Sequence, residues 1–503
     1  MNATADSLAR HASERPEALA AHDLTSDTHW TYREFWTHVG QSAALLQRRG
    51  IGAGDRVASL AKNCVELVIL HLACARIGAL YAPLNWRLAG TEIDTLVDDA
   101  EPALLIGDER LPHRAFNDTS IAEFAQAARR ESTVEGRMSH AEFPSLLLYT
   151  SGTSGRPKGV VLSERHIWQT GASFSRCGRV TSRSVVLCDT PMFHVIGLIT
   201  NVRPALLQGG TILVSDGFLA DQTLARLGSA SLGVTHYFCV PQMAAMLRAE
   251  ASFDPARLRS LTAIFSGGAP HAADAIRSWC HDGIPIVDGF GMSEAGTVSC
   301  MPVDIPSIMA RAGSAGLLAD GIQAVIRDEA GSPCPAGVAG ELFIKGPSIT
   351  GGYWRQPDAT RAVIDAEGWL RTGDIARLDH DGYLWLIDRK KDMFISGGEN
   401  VYPAEIEAAL AHYPGIVECA VVGVPDDRWG EVGHLAVVLK GTRTLDVPAI
   451  TSYLSSRIAR YKIPKHISVI GELPRNGAGK IRKHDLRAML GGCENPASRQ
   501  PVT

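Results

Sequence analysis

Tyr149-Thr150-Ser151-Gly152-Thr153-Ser154-Gly155-Arg156-Pro157-Lys158-Gly159 concentrates hydroxyls, glycines and cations in one short loop. Leu146-Leu147-Leu148-Tyr149 before it reads as a buried strand, and Val160-Val161-Leu162 after it as a returning strand. Glycine lets the backbone come close and adopt φ > 0, so successive N–H groups can converge on an anion. Thr150, Ser151, Thr153 and Ser154 add neutral donors, and Lys158 adds a point charge. The plain alternative is a Gly/Ser turn between strands. Cations among the glycines favour a polyphosphate cradle. It is not the common G-x-x-x-x-G-K-[ST] loop. Counting from Gly152, Lys158 falls where the lysine belongs, but Pro157 replaces the second glycine and Gly159 the hydroxyl residue. A strand follows rather than a helix, and the spacing does not fit G-x-G-x-x-G.

A chain of 503 residues exceeds one core, so two or more domains are expected. Composition is that of a globular protein, 45% hydrophobic and 20% charged. The net charge of −5 argues against a nucleic-acid partner recognised by bulk charge. The ten cysteines include no C-x-x-C pair, which disfavours a metal cluster or disulfide framework and fits a reducing compartment. Met1-Asn2-Ala3-Thr4-Ala5-Asp6 has no basic-then-apolar signal pattern. The apolar window Val65 to Leu84 contains Glu66, His71 and Arg76, so it reads as a buried helix entering a strand. The expectation is a cytoplasmic protein with no integral membrane segment.

Helical spacing covers Thr31–Arg49 and Val65–Ile77, and strands are expected at Arg56–Leu60, Ala79–Ala82, Leu104–Ile106, Val185–Leu187, Thr211–Val214 and Thr262–Phe265. This alternation argues α/β layers with largely parallel sheets. Gly107–Glu142 reads as loop with a short helix near Ile121–Arg129. After about residue 310 short β-like runs predict a β-rich subdomain. Beyond the charged run Asp388-Arg389-Lys390-Lys391-Asp392 a small α+β domain is expected, with helices Pro403–His412 and Val447–Arg460 and strands near Ala420–Val422 and Leu435–Val438. The expected division is an N-terminal domain over 1–388, a hinge at 389–391 and a C-terminal domain over 392–503.

The 149–159 run resembles the phosphate loop of the adenylate-forming superfamily, which includes acyl-CoA synthetases, 4-coumarate:CoA ligases and luciferases. Five further stretches match it in the same order. Ser266-Gly267-Gly268-Ala269-Pro270 could be a strand-end turn; the resemblance makes it a wall of an adenine pocket. In Gly289-Phe290-Gly291-Met292-Ser293-Glu294, Phe290 is an aromatic plate with open space expected on both sides. Taken alone, it reads as a core Phe beside a turn. Ser293 can bond a phosphate and Glu294 can hold Mg²⁺, which prefers oxygen ligands. Most members have Tyr and Thr where this chain has Phe290 and Ser293. In Thr372-Gly373-Asp374 the carboxylate could be a turn cap; the resemblance assigns Asp374, with Arg389, to the ribose. Lys391 aligns with the hinge residue, and Gly398 with a glycine lining the pantetheine tunnel. In Pro474-Arg475-Asn476-Gly477-Ala478-Gly479-Lys480, a surface lysine by default, the resemblance makes Lys480 the lysine of adenylation.

The resemblance implies ATP, Mg²⁺ and coenzyme A as cofactors, and two half-reactions. A carboxylate displaces pyrophosphate from ATP to give an acyl-adenylate, and a thiol then displaces AMP. Catalysis must neutralise charge and align reactants. His194 in Pro191-Met192-Phe193-His194-Val195-Ile196-Gly197 is either a structural histidine or the family's gate between acyl pocket and tunnel. By resemblance, Val195, Ile196, Gly289, Gly291, Ala295, Gly296 and Val298 line the acyl pocket, with the glycines leaving room for a ring or chain. No cation stands among them, and a second carboxylate in a dry pocket is costly, so dicarboxylic acids are disfavoured. The chain most resembles bacterial fatty-acyl-CoA and feruloyl-CoA-type ligases, which leaves fatty and aryl acids both open. Free CoA is favoured as acceptor; the alternatives are a separate acyl-carrier protein or a non-catalytic descendant. A homodimer is compatible with the sequence.

Overall fold

The computed structural model describes residues 4–111, 118–133, 141–150, 157–269, 271–396, 399–426, 428–441, 445–475 and 479–491. Two compact units divide the chain: Met1–Gln323 with Ile344–Leu370, and Ala324–Phe343 with Arg371–Thr503.

The first unit is built on two sheets. In the nine-stranded sheet, Val185–Cys188, Thr211–Val214, His236–Cys239, Ala263–Ser266 and the first half of Ile286–Met292 run parallel. Their apolar side chains are buried, as expected of parallel strands covered on both faces. The six-stranded sheet runs Thr119–Ser120, Leu104–Gly107, Arg56–Leu60, Leu80–Pro83, Pro144–Thr150, Lys158–Ser163. Its last pair is an antiparallel hairpin with Thr150 opposite Lys158. Local chemistry sets the helix ends. Thr31 and Glu34 form a capping box at the start of Tyr32–Arg48, with bonds of 2.8 and 3.2 Å. Val65–Ile77 stops at Gly78, whose φ of 78° is left-handed. It carries buried residues all round, so the apolar window is a core helix. No described helix is long and apolar enough to cross a membrane. Among the described residues one His/Asp group has ligand-like spacing, His22, Asp27 and His29. It lies on the hairpin Leu19–Thr31, where a His22–Asp27 hydrogen bond of 2.9 Å joins two of the three.

The second unit carries the C-terminal sheet. Ile416–Asp426 and Gly430–Leu439 form a long antiparallel pair joined by Phe394–Ser396, Glu399–Val401 and His466–Val469. Alternation along these strands feeds two cores. Val421, Leu435 and Val437 pack with Ile406 and Leu410 of helix Pro403–Leu410 and with Ile450 and Leu454 of Val447–Ser455. Ala420, Val422 and Ala436 pack with Leu486 and Leu490 of Lys483–Gly491. The helix expected over Val447–Arg460 ends at Ser455. The hydroxyls of Ser455 and Ser456 and the Arg457 guanidinium bond back to the carbonyls of Thr451 and Tyr453, which competes with another helical turn. A separate short turn, Arg460–Lys462, follows.

Candidate functional site

The 149–159 run begins and ends in strand, as Pro144–Thr150 and Lys158–Ser163. Ser151, Gly152, Thr153, Ser154 and Gly155 lie outside the described residues, as do Pro270 and Gly398. The Thr150 hydroxyl donates to the Lys158 carbonyl at 3.3 Å, which closes the hairpin beneath the loop. Lys158–Ser163 is the edge of its sheet, and residues 350–356 cover that edge. The Val161 N–H donates to the Gly352 carbonyl at 3.1 Å, and the Trp354 N–H to the Gly159 carbonyl at 2.7 Å. The Gln356 amide donates to the Pro157 carbonyl at 3.1 Å. A Cβ on Gly159 would stand 2.7 Å from a Leu147 methyl and 3.2 Å from the Trp354 Cβ, so a side chain there would have to displace Leu147.

The same covering segment reaches Glu294. The Tyr353 hydroxyl donates to Glu294 Oε1 at 2.9 Å. The Thr350 N–H donates to the Glu294 carbonyl at 2.7 Å. Lys158 Nζ lies 5.0 Å from the centre of the Tyr353 ring, at cation–π distance. Burial first, and the Glu294 charge second, push the Tyr353 phenol above its ordinary range, so it stays a donor. Glu294 is 9% exposed and has one oxygen engaged by a neutral donor. A carboxylate of this kind is a hard oxygen donor, which fits Mg²⁺.

The parallel strands deliver a second group of residues at their C-terminal ends, where ligands of open α/β sheets bind. Ser266 pairs with Asp288 across the last parallel step. Beyond them stand Gly267-Gly268-Ala269 on one strand and Gly289-Phe290 on the next. Gly268 takes φ 83°, and its missing side chain faces Ile196 at 3.4 Å, so the chain brings Gly268 and Ile196 together. Burial raises the Asp288 carboxyl well above the carboxylate range.

The glycines around Phe290 serve a purpose other than the expected one. Past Asp288 the strand Ile286–Met292 switches to antiparallel pairing with Gly296–Cys300, with a register shift between Phe290 and Gly291. A Cβ on Gly289 would meet the Ser299 carbonyl oxygen at 2.9 Å, and one on Gly291 the Gly296 oxygen at 2.4 Å. A Cβ on Gly296 would fall 2.0 Å from the Thr170 hydroxyl. Where a side chain at Gly289 or Gly291 would stand there is backbone of the next strand, and Phe290 is 8% exposed. Ala295 and Val298 are fully buried, so they offer no surface to an acid, and Gly296 is buried. Of the expected acyl-pocket residues, Val195, Ile196, Gly289 and Gly291 keep exposed surface. His194 is half-buried and sits edge-on to Phe193 at 4.6 Å. It is followed by a π-helical turn, Ile196–Asn201, a rare geometry that recurs at functional sites.

In the second unit Asp374 lies directly opposite Arg389, with Arg389 Nε 2.8 Å from Asp374 Oδ1. Gly373 takes φ 73°, and the Asp374 N–H donates to the Thr372 hydroxyl at 3.0 Å. Lys390 pairs with Glu341 at 2.9 Å, while Lys391 stands exposed in the turn that follows. Lys480 is exposed at the foot of a tip closed by an Arg475–Ile481 bridge, where Arg475 also donates to the Gly479 carbonyl at 2.6 Å. Tyr353 and Asp288 escaped the sequence reading. Gly351-Gly352-Tyr353-Trp354 carried a signal, an aromatic pair after two glycines, but nothing local ties it to a carboxylate 59 residues away.

The chain belongs to the AMP-binding enzyme family. It matches that family over residues 8–354, and the C-terminal domain of AMP-binding enzymes over residues 405–480. It is 35% identical over 493 residues to a feruloyl-CoA synthase of Amycolatopsis sp, covering 96% of this chain and 98% of the relative. It is 34% identical to the long-chain-fatty-acid–CoA ligase FadD13 of Mycobacterium tuberculosis, covering 95% and 97%. The solved structure of O-succinylbenzoate coenzyme A synthetase from Bacillus subtilis, in complex with ATP and magnesium ion, superposes with a TM-score of 0.85 at 29% identity, covering 96% and 98%.

Proposed function

We propose that the protein is an ATP-dependent carboxylic acid:CoA ligase that forms an acyl-adenylate and pyrophosphate, then an acyl-CoA and AMP. The observation that carries this reading is the Glu294–Tyr353–Lys158 cluster, at the start of the strand Lys158–Ser163, in a chain of the AMP-binding enzyme family. A carboxylate attacking a polyphosphate needs cations where negative charge gathers. Lys158 and the loop donors supply one such place, and Lys480 is the lysine proposed for the reacting phosphate. Bound at Glu294, Mg²⁺ would offset charge on the phosphates. Phe290 and Gly267-Gly268-Ala269-Pro270 are the proposed walls for adenine, and Asp374 with Arg389 the proposed ribose partners. Ser293 would bond phosphate. His194 is proposed as the gate, Lys391 as the hinge and Gly398 as the passage for pantetheine, with domains divided at 389–391. No protein nucleophile is needed, because AMP leaves readily from the mixed anhydride.

The proposed acid is a hydrophobic monocarboxylate, fatty or aryl. Support comes from the aliphatic surface of Val195 and Ile196 and from Gly289, whose missing side chain faces backbone and leaves no room for a cation. The names of the relatives span fatty and aryl acids and also include 2-succinylbenzoate, a dicarboxylate. Pyrophosphate release across a panel of aromatic and short- to long-chain fatty acids, with and without CoA, tests the reading. Acyl-CoA should appear with at least one acid. Pyrophosphate without acyl-CoA for every acid would point to a carrier protein as acceptor.

A further inference from the structure

We propose that Tyr353 is a positioning residue for the cation site. Its hydroxyl aims Glu294, and its ring face holds Lys158. The inference deepens the ligase reading and rests on it for the identity of the site.

Glu294 and Lys158 carry opposite charges and both contact Tyr353, one at its hydroxyl and the other at its ring. Its hydroxyl takes Glu294 Oε1 at 2.9 Å, which leaves Oε2 as the oxygen to face a cation. Its ring face takes Lys158 Nζ at 5.0 Å, which holds the ammonium by the ring quadrupole rather than by a counter-charge. The phenol is neutral, so it fixes the carboxylate without cancelling its charge.

The backbone makes this arrangement rigid. Tyr353 is bridged to Val160, two residues from Lys158 on the same strand. Its N–H donates to the Thr360 hydroxyl at 2.9 Å. Thr350, three residues earlier, takes the Glu294 backbone and also donates its hydroxyl to the Val161 carbonyl at 2.5 Å. One short segment therefore sets Glu294 by both main chain and side chain, and sets the strand of Lys158 as well. A residue that only filled space would need the ring but not the hydroxyl.

The test uses the full-length protein, Mn²⁺ as probe and a non-hydrolysable ATP analogue, with bound Mn²⁺ read by electron paramagnetic resonance. Tyr353→Phe keeps the ring and removes the hydroxyl. Mn²⁺ affinity should fall roughly tenfold, the scale of one hydrogen bond to a charged group. The Mg²⁺ concentration for half-maximal pyrophosphate release should rise by a similar factor. Tyr353→Leu also removes the ring and should weaken binding of the ATP analogue itself, with Phe intermediate. In a Glu294→Ala background, Tyr353→Phe should change Mn²⁺ affinity no further, because the hydroxyl acts through that carboxylate. Unchanged Mn²⁺ affinity in Tyr353→Phe, or an undiminished effect in the Glu294→Ala background, overturns the proposal. The two readings fail separately. A wild-type protein that releases no pyrophosphate with any acid removes the ligase reading, whereas the Mn²⁺ titration judges Tyr353 without turnover.

Discussion

Gly291→Ala separates two explanations of the glycines around Phe290. If they make room for an acid, one added methyl should shrink the pocket and leave the fold alone. The geometry says otherwise. The new Cβ would stand 2.4 Å from the Gly296 carbonyl oxygen and 3.3 Å from its carbon, where real Cβ contacts stay above 3.0 Å. Gly296 has little room to yield, because it holds φ 65° and the Thr170 side chain fills the place where its own Cβ would stand. Relief must come from parting the strands Ile286–Met292 and Gly296–Cys300. Overpacking of this kind costs roughly 2–3 kcal/mol. The first unit has about 350 residues, and at about 2.1 cal/mol/K per residue its unfolding entropy is roughly 0.7 kcal/mol/K. The expected fall in Tm is therefore about 3–4 °C, read by scanning calorimetry. Glu294 lies in the turn between these strands, so kcat/KM should fall by the same factor for every acid in a chain-length series. An unchanged Tm with a loss that grows with acid size would refute the strand-approach argument and restore the pocket floor.

Lys480→Ala should slow pyrophosphate release by roughly a hundredfold while leaving CoA transfer from supplied acyl-adenylate largely intact; Lys391→Pro should do the reverse, and equal losses in both half-reactions would undo both assignments. Asp374→Asn breaks the 2.8 Å pair with Arg389 and should raise the KM for ATP roughly tenfold, measured at saturating acid. Asp388 is raised by burial from 3.8 to about 6. Between those values the folded state holds a proton that the unfolded state releases, so stability of the second unit falls as pH rises from about 4 to about 6. Urea unfolding across that range should show the slope, and Asp388→Asn should flatten it; a parallel profile would remove burial as the cause.

Elements written in local pattern were legible. Leu146–Tyr149 and Val160–Leu162 form the strands their apolar runs imply, and Val65–Ile77 forms the buried helix read from its apolar window. The facing of Asp374 and Arg389 was also within reach, because both sit on neighbouring strands of one hairpin. What escaped depends on partners far along the chain. Gly289 and Gly291 look like residues around a cavity until the strand after the turn is seen against them. Ala295 and Val298 look like lining until burial removes them. Tyr353 has no local mark of its bond to Glu294. The overlong helix at Val447 failed because serine hydroxyls that bond back to carbonyls are compatible with helical and non-helical paths alike.

The cover over the Lys158–Ser163 edge has a consequence for synthesis. During translation Glu294 and that strand leave the ribosome well before residues 350–356. Until those residues emerge, the edge offers unpaired N–H and C=O groups to any passing strand, and Glu294 lacks the hydroxyl that aims it. The nascent chain therefore cannot assemble the cluster around Glu294 in the order it is read. The protein carries an interval of exposure between residue 294 and residue 356, and a ribosome stalled there would hold an adhesive edge and an unaimed Glu294.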